Sequence, residues 1–172
     1  MYIETRDLYD VNRNLTNETI HKGDSIPLNR YIVVVLAFIQ NSKGEFLIQK
    51  RSQQKDGKYA STGGHPKSGE TSMQGIITEI EEELGLKVSS SELDLIYSGR
   101  EDNEQVFFDI YYIKKDFNIA DLTLQKEEVD FVEWDSLSKI KQLIHDDLFL
   151  KNHAEEVYRM IDIFKKRGIN LE

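Results

Sequence analysis

The sequence predicts an α/β (α+β) fold, a sandwich of helices around a mixed β-sheet, and three observations predict it. Tyr31 to Gln40 (YIVVVLAFIQ) is almost entirely β-branched, aliphatic or aromatic, the pattern of a strand covered on both faces. Met73, Ile76, Ile77, Ile80 and Leu84 recur at helical spacing and make one apolar stripe. Strand-like and helix-like segments then follow one another to the end of the chain, which calls for helices packed on a sheet. The length of 172 residues suits one domain, residues 1–172, with residues 1–29 as an N-terminal hairpin extension.

In chain order, ETRDLYD reads as a strand, VNRNLTN as a turn and ETIHKGD as the return strand. After the strand at 31–40, Asn41 to Gly44 form a turn and FLIQKR its partner strand. The stretch QQKDGKYASTGGHPKSGE is rich in Gly, Lys and Ser and reads mostly as loop. It ends at a helix from Thr71 to Leu84. Thr71 or Ser72 can cap the start, and Gly85 stands where a left-handed residue ends a helix. Later strands are expected at Leu93–Ser98, Gln105–Lys114 and Val129–Trp134, and helices at Leu137–Ile144 and His153–Arg167.

Composition narrows the functional classes. There is no cysteine, which excludes disulfides, thiolate metal sites and cysteine nucleophiles. The opening MYIETRDLYD is acidic and has no apolar core, unlike a signal peptide. The longest apolar run, Ile32 to Ile39, is far short of the roughly 20 residues a membrane helix needs. A cytoplasmic address and no membrane partner are therefore expected. The net charge of −9 repels long nucleic acid. A small phosphorylated substrate can still bind if metal ions bridge the like charges.

The helix carries an unusual face. Glu79, Glu82 and Glu83 stand at i, i+3 and i+4, so their side chains emerge together. On a helical wheel that face points away from the apolar stripe, and Glu81 projects elsewhere. Like charges at this spacing repel by a few tenths of a kcal/mol, and anions in the last turn oppose the helix dipole at a cost of about 0.3–1 kcal/mol each. A divalent cation turns the repulsion into coordination. Oxygen ligands without His or Cys select Mg²⁺, Mn²⁺ or Ca²⁺ over zinc. The bare ExxEE pattern also fits a solvated acidic face, and the residues before it separate the two readings.

Gly64 is followed by Glu70, then by Thr78, Glu79, Ile80, Glu82, Glu83, Gly85 and Leu86. This stretch resembles the Nudix box: Gly, five residues, Glu, seven residues, Arg-Glu, an aliphatic, any residue, Glu-Glu, any residue, Gly, an aliphatic. Eight of its nine specified positions agree. The departure is Thr78, where the family has an Arg that orients the catalytic glutamates; Thr brings neither charge nor fork. Lys58 and Lys67 are the candidate substitutes. The resemblance implies an α/β/α Nudix fold and a Mg²⁺-dependent hydrolase, with Mn²⁺ as the alternative ion, that cleaves the diphosphate linkage of a nucleoside diphosphate derivative or a similar small substrate. It implies that Glu79, Glu82, Glu83 and the Gly64 carbonyl hold metal, and that Glu70 is a structural acid tying loop to helix. A later loop acid, Glu128, six residues before Trp134, is the candidate catalytic base with Glu127 beside it. Homodimers are frequent in the family and are admitted here.

Part of the chain (DLYDVNRNLTNETIHKGD and YASTGGHP) resembles the branch that includes isopentenyl-diphosphate isomerase. That enzyme has a catalytic Cys near the position of Gly63 and a metal-binding His near His65. Here the His is present and the Cys is not, so isomerisation is the weaker alternative. A nucleotide-binding module without turnover is the other alternative, motivated by Thr78. Lesser candidates are His65 for phosphate or metal, Lys50, Arg51 and Lys58 for distal phosphates, Tyr59, Phe38 and Phe107 for base stacking, and Asp102 and Glu104 before a strand. For each of these an ordinary surface, rim or core role competes.

Overall fold

The computed structural model describes residues 3–172. Its elements, in order, are β1 (Thr5–Tyr9), β2 (Leu15–His21), β3 (Ile32–Gln40), β4 (Phe46–Arg51), β5 (Tyr59–Ala60), β6 (Thr62–Gly64), α1 (Ser72–Leu84), β7 (Asp94–Glu101), β8 (Val106–Lys114), β9 (Val129–Asp135), α2 (Leu137–His145) and α3 (Lys151–Lys166). The apolar runs set the main strands. The stretch expected to be loop holds two short strands, β5 and β6, because Tyr59–Ala60 pairs with β4 and Thr62–Gly64 with β3.

The sheet is mixed. β3 runs parallel to β8 over its whole length and antiparallel to β6, while β8 runs antiparallel to β7. β3 and β4 pair only at Gln40 and Phe46, beside the turn. Beyond that they part, and β4 pairs with β9 and β5 instead. Residues of opposite parity on β3 go to different layers, as strand geometry requires. Val33, Val35, Ala37 and Ile39 pack with Ile76, Ile80 and Leu84 of α1. Leu36 and Phe38 pack with Leu137, Ile140, Val157 and Met160 of α2 and α3. This double cover explains why the run has no polar alternation, and it makes the molecule an α/β/α sandwich.

β1 and β2 form a separate antiparallel hairpin. The return strand starts at Leu15, earlier than expected, because Arg13 takes a left-handed φ of 63° and closes the turn within Asp10–Asn14. Tyr9 and Tyr31 exchange backbone hydrogen bonds, which ties the hairpin to the start of β3. Arg13 also reaches across to Asp109 on β8, with two contacts of 2.8 and 2.5 Å. Asp109 is buried and accepts a further bond from Ser98. The hairpin is thus fixed on the sheet by a bidentate ion pair.

Candidate active site

The helix that carries the acids is well delimited. Thr71 accepts a bond from the Gln74 backbone N–H and the Gln74 side chain accepts from the Thr71 N–H, a reciprocal cap. At the other end Gly85 takes φ 65° and donates to the Glu81 carbonyl. The loop before the helix is stitched to the hairpin. Ser68 N–H donates to the Thr5 carbonyl, and Asp7 accepts from the Ser68 hydroxyl and the Gly69 N–H.

The structure separates the four acids into two kinds. Glu83 is only 7% exposed, and its Oε2 has no hydrogen-bond partner among the described residues. Burial, reinforced by the negative charge of Glu79, pushes its carboxyl up to about 8. Glu79 is partly buried and accepts a 3.1 Å bond from the His65 N–H. Burial and the nearby charges of Glu82 and Glu4 push it up to about 7. Glu82 is exposed and pairs with Lys67. Glu128 lies in the turn before β9 and pairs with Lys55 at 2.9 Å, and its charge reaches Glu83. Glu83, although on the face that leaves the apolar stripe, is not turned to solvent. β4 and the 125–128 turn close over it, with Gln49 of β4 as a hydrogen-bonding neighbour and Gln125 N–H donating to the Glu83 carbonyl.

Gly64 lies against Glu79. A Cβ there would come 2.3 Å from the Glu79 carboxyl carbon, so only glycine lets the acid pack on the backbone. Thr78 turns to Glu70: its hydroxyl donates to Glu70 Oε1 at 2.7 Å, and Glu70 Oε2 accepts from the Lys67 N–H at 2.8 Å. Glu70 therefore bridges loop and helix. Where the box has one Arg, two residues make contacts here: Thr78 with Glu70, and Lys67 with Glu82. Lys58 takes no part; it pairs with Asp147.

Among the described residues no three acidic or histidine side chains converge closely enough to enclose an ion as they stand. Glu79 and Glu83 are brought together, while Glu82 and Glu128 are drawn to lysines. A divalent cation still fits this donor set. A buried carboxylate oxygen without a partner, next to a second raised carboxyl, is a cost that a hard cation removes.

The lesser candidates fall elsewhere. His65 is partly buried rather than solvent-exposed, and burial with the charges of Arg6 and Lys22 pushes it down to about 3. Arg51 pairs with Asp56, and Lys50 lies 4.5 Å from the centre of the Tyr59 ring. Phe38 and Phe107 are core residues, packed on Phe46 and Tyr31. Tyr59 packs edge-on to Phe131. Asp102 accepts from the Tyr31 hydroxyl and pairs with Arg100. Glu104 is exposed. A side chain at Gly63 would come 2.5 Å from the Val35 carbonyl, because β6 lies so close to β3. The place where the isomerase has its Cys is therefore closed to any side chain as the strands stand.

Lys22, Glu4, Gln125 and Lys55 were not anticipated as neighbours of the site. All four reach it through hairpin or loop contacts that leave no periodic trace in the sequence.

A glycine-bounded loop leading to a helix of paired glutamates on an α/β/α sandwich defines a class of diphosphate-cleaving hydrolases. The NUDIX domain family model matches residues 30–159, and the chain belongs to the Nudix hydrolase family. It is 39% identical over 131 residues to an uncharacterized Nudix hydrolase of Listeria monocytogenes, covering 74% of this chain and 76% of that one. A second uncharacterized Nudix hydrolase, from Listeria innocua, is 37% identical over 145 residues, with 82% and 85% covered. Among solved structures, DR0079 from Deinococcus radiodurans superposes with a TM-score of 0.75 at 24% identity, covering 91% of this chain and 98% of that one. The NUDIX domain of Shewanella oneidensis NrtR, solved with ADP-ribose, gives a TM-score of 0.61 at 15% identity, covering 81% and 89%. These structural likenesses speak to the fold. No helix among the described residues is long and apolar enough to cross a membrane.

Proposed function

We propose that the protein hydrolyses the diphosphate linkage of a nucleoside diphosphate derivative, with Mg²⁺ as its ion and Mn²⁺ as the alternative. The observation that carries this reading is the pair Glu79 and Glu83, one carboxyl partly buried and one buried, pushed up to about 7 and about 8 and without a salt bridge among the described residues. Glu79, Glu82, Glu83 and the Gly64 carbonyl are the groups that would hold the ion. When bound, the ion supplies charge neutralisation on the diphosphate and a more acidic water.

The chain's own residues do the rest. The His65 N–H fixes one oxygen of Glu79. Glu70, held by Thr78 and the Lys67 N–H, sets the distance between loop and helix. Glu128, half-buried in the turn before β9 and near enough for its charge to act on Glu83, is the group that would take the proton from the attacking water. Lys55 holds it ready until then. A nucleotide-sized substrate is also supported by the ADP-ribose bound to the Shewanella relative. In this reading the N-terminal extension, whose first two residues lie outside the described ones, belongs to the same single unit as the rest, and a cytoplasmic address and a homodimer go with it.

The test is a screen of nucleoside diphosphate sugars, dinucleoside polyphosphates and nucleoside triphosphates with Mg²⁺ or Mn²⁺, with and without EDTA, with products identified. Metal-dependent cleavage between phosphates is the expected result. Absence of turnover across the panel in protein that binds Mn²⁺ would leave a nucleotide-binding module instead.

A further inference from the structure

A groove of about 780 Å³ opens beside Glu82, a size suited to a nucleotide-sized ligand. Its walls come from three parts of the chain: the hairpin (Glu4 and Lys22), the loop before α1 (Lys67), and the segment at 123–125. That segment is anchored on the end of α1, since Thr123 and Gln125 donate to the carbonyls of Leu84 and Glu83. The hairpin wall is equally fixed, through Ser68, Asp7 and the Arg13–Asp109 pair.

In a chain of net charge −9, lysines from two different elements face this one groove. Each rests on a carboxylate. Lys22 lies 3.8 Å from Glu4, too long for a strong pair, and Lys67 contacts Glu82 directly. Glu82 is also one of the groups that would hold the ion. An ion drawing Glu82 inward would leave the Lys67 ammonium without its partner at the mouth of the groove. There a substrate phosphate is the natural replacement.

We propose that Lys22 and Lys67 form a phosphate-binding pair in this groove, so that the substrate carries an anionic group beyond the bond that is cut, and that Lys67 exchanges Glu82 for that group when the ion binds. This rests on the hydrolase reading, and it adds the substrate's charge pattern to it. Ordered loading follows: Lys67 occupies Glu82 in the resting protein and becomes available to phosphate as Glu82 turns to the ion.

The test measures binding rather than turnover. Mn²⁺ affinity is read by water-proton relaxation. Affinity for inorganic pyrophosphate is read by calorimetry with Mn²⁺ present, in the wild type, Lys67→Met, Lys67→Arg and Lys22→Met. Melting temperatures check that each variant is folded. Lys67→Met is expected to bind Mn²⁺ alone severalfold more tightly, because Glu82 is released, and pyrophosphate about 10-fold more weakly, the loss of one charge-assisted bond. Lys67→Arg restores pyrophosphate binding. Lys22→Met leaves Mn²⁺ affinity unchanged and weakens pyrophosphate severalfold. Unchanged pyrophosphate affinity in both Met variants overturns the proposal while the hydrolase reading stands, as does weaker Mn²⁺ binding in Lys67→Met. A wild-type protein that binds no Mn²⁺ overturns both.

Discussion

Two pairs of carboxylates meet at the proposed active site, and they are opposites. Glu79 and Glu83 sit on the inner side of α1, raised by burial and by nearby negative charge, that of Glu82 and Glu4 on Glu79 and that of Glu79 on Glu83, and among the described residues no lysine or arginine is bonded to them. Glu82 and Glu128 face outward, each on a lysine from a different loop, Lys67 and Lys55. The inner pair is fixed and strained electrostatically; the outer pair is movable and satisfied. In the proposed site a cation would displace protons from the first pair and compete with lysines for the second. On the proposed reading the contrast implies a division of labour: the inner acids would supply the standing affinity for the cation, and the outer acids would adjust as substrate arrives.

The largest effect expected from breaking this contrast is at Glu83. Glu83→Gln keeps the shape and removes the charge, and kcat should fall roughly 10³-fold, the scale for losing one preorganised electrostatic group. Mn²⁺ affinity should fall with it, and an unaltered rate would remove Glu83 from the site. Glu82→Gln should cost less, on the order of 10²-fold in kcat, because the position is exposed and its geometry adjustable. Steady-state kinetics at saturating Mg²⁺ distinguishes the two. Smaller again is Thr78→Ala. It removes the bond to Glu70 and should lower stability by about 1 kcal/mol, with only a modest loss of rate, measured as a shift in the urea midpoint. Thr78→Arg should be tolerated, since Lys67 already serves Glu82; a sharp loss of activity there would show that the loop has been rebuilt around the smaller residue.

Much of the fold was legible because its signals are local. The unbroken apolar run at 31–40, the FLIQKR strand and the capped helix ending at Gly85 each lie within a residue or so of their observed bounds. The hairpin was harder. Leu15 is 59% exposed although it lies in a strand, so polar residues on both sides read as turn, and the left-handed Arg13 that closes the turn is not a residue type that announces it. The acids were legible through their spacing, which a helix converts into a shared face. Their environments were not. A wheel knows nothing of the strand and turn that cover Glu83, nor of Lys55 and Lys67, which arrive from loops 73 and 15 residues away along the chain. The role of Thr78 was hidden for the same reason: its partner Glu70 is set by the path of the loop, not by the helix.

The inner pair leaves a thermodynamic signature that needs no substrate. The folded value of Glu83, about 8, and that of Glu79, about 7, lie above their ordinary 4.5. The unfolded chain thus releases these protons first as pH rises, and stability is lost between about pH 4.5 and about pH 8. Urea unfolding of the metal-free protein from about pH 5 to about pH 9, repeated with Mg²⁺ and with Glu83→Gln, measures this directly. The expected result is a stability that declines by several kcal/mol toward alkaline pH, recovers when Mg²⁺ is added, and declines less in Glu83→Gln, which Mg²⁺ should scarcely affect. Superimposable pH profiles for wild type and variant, with and without Mg²⁺, would contradict the assignment of these buried carboxylates as the seat of the ion.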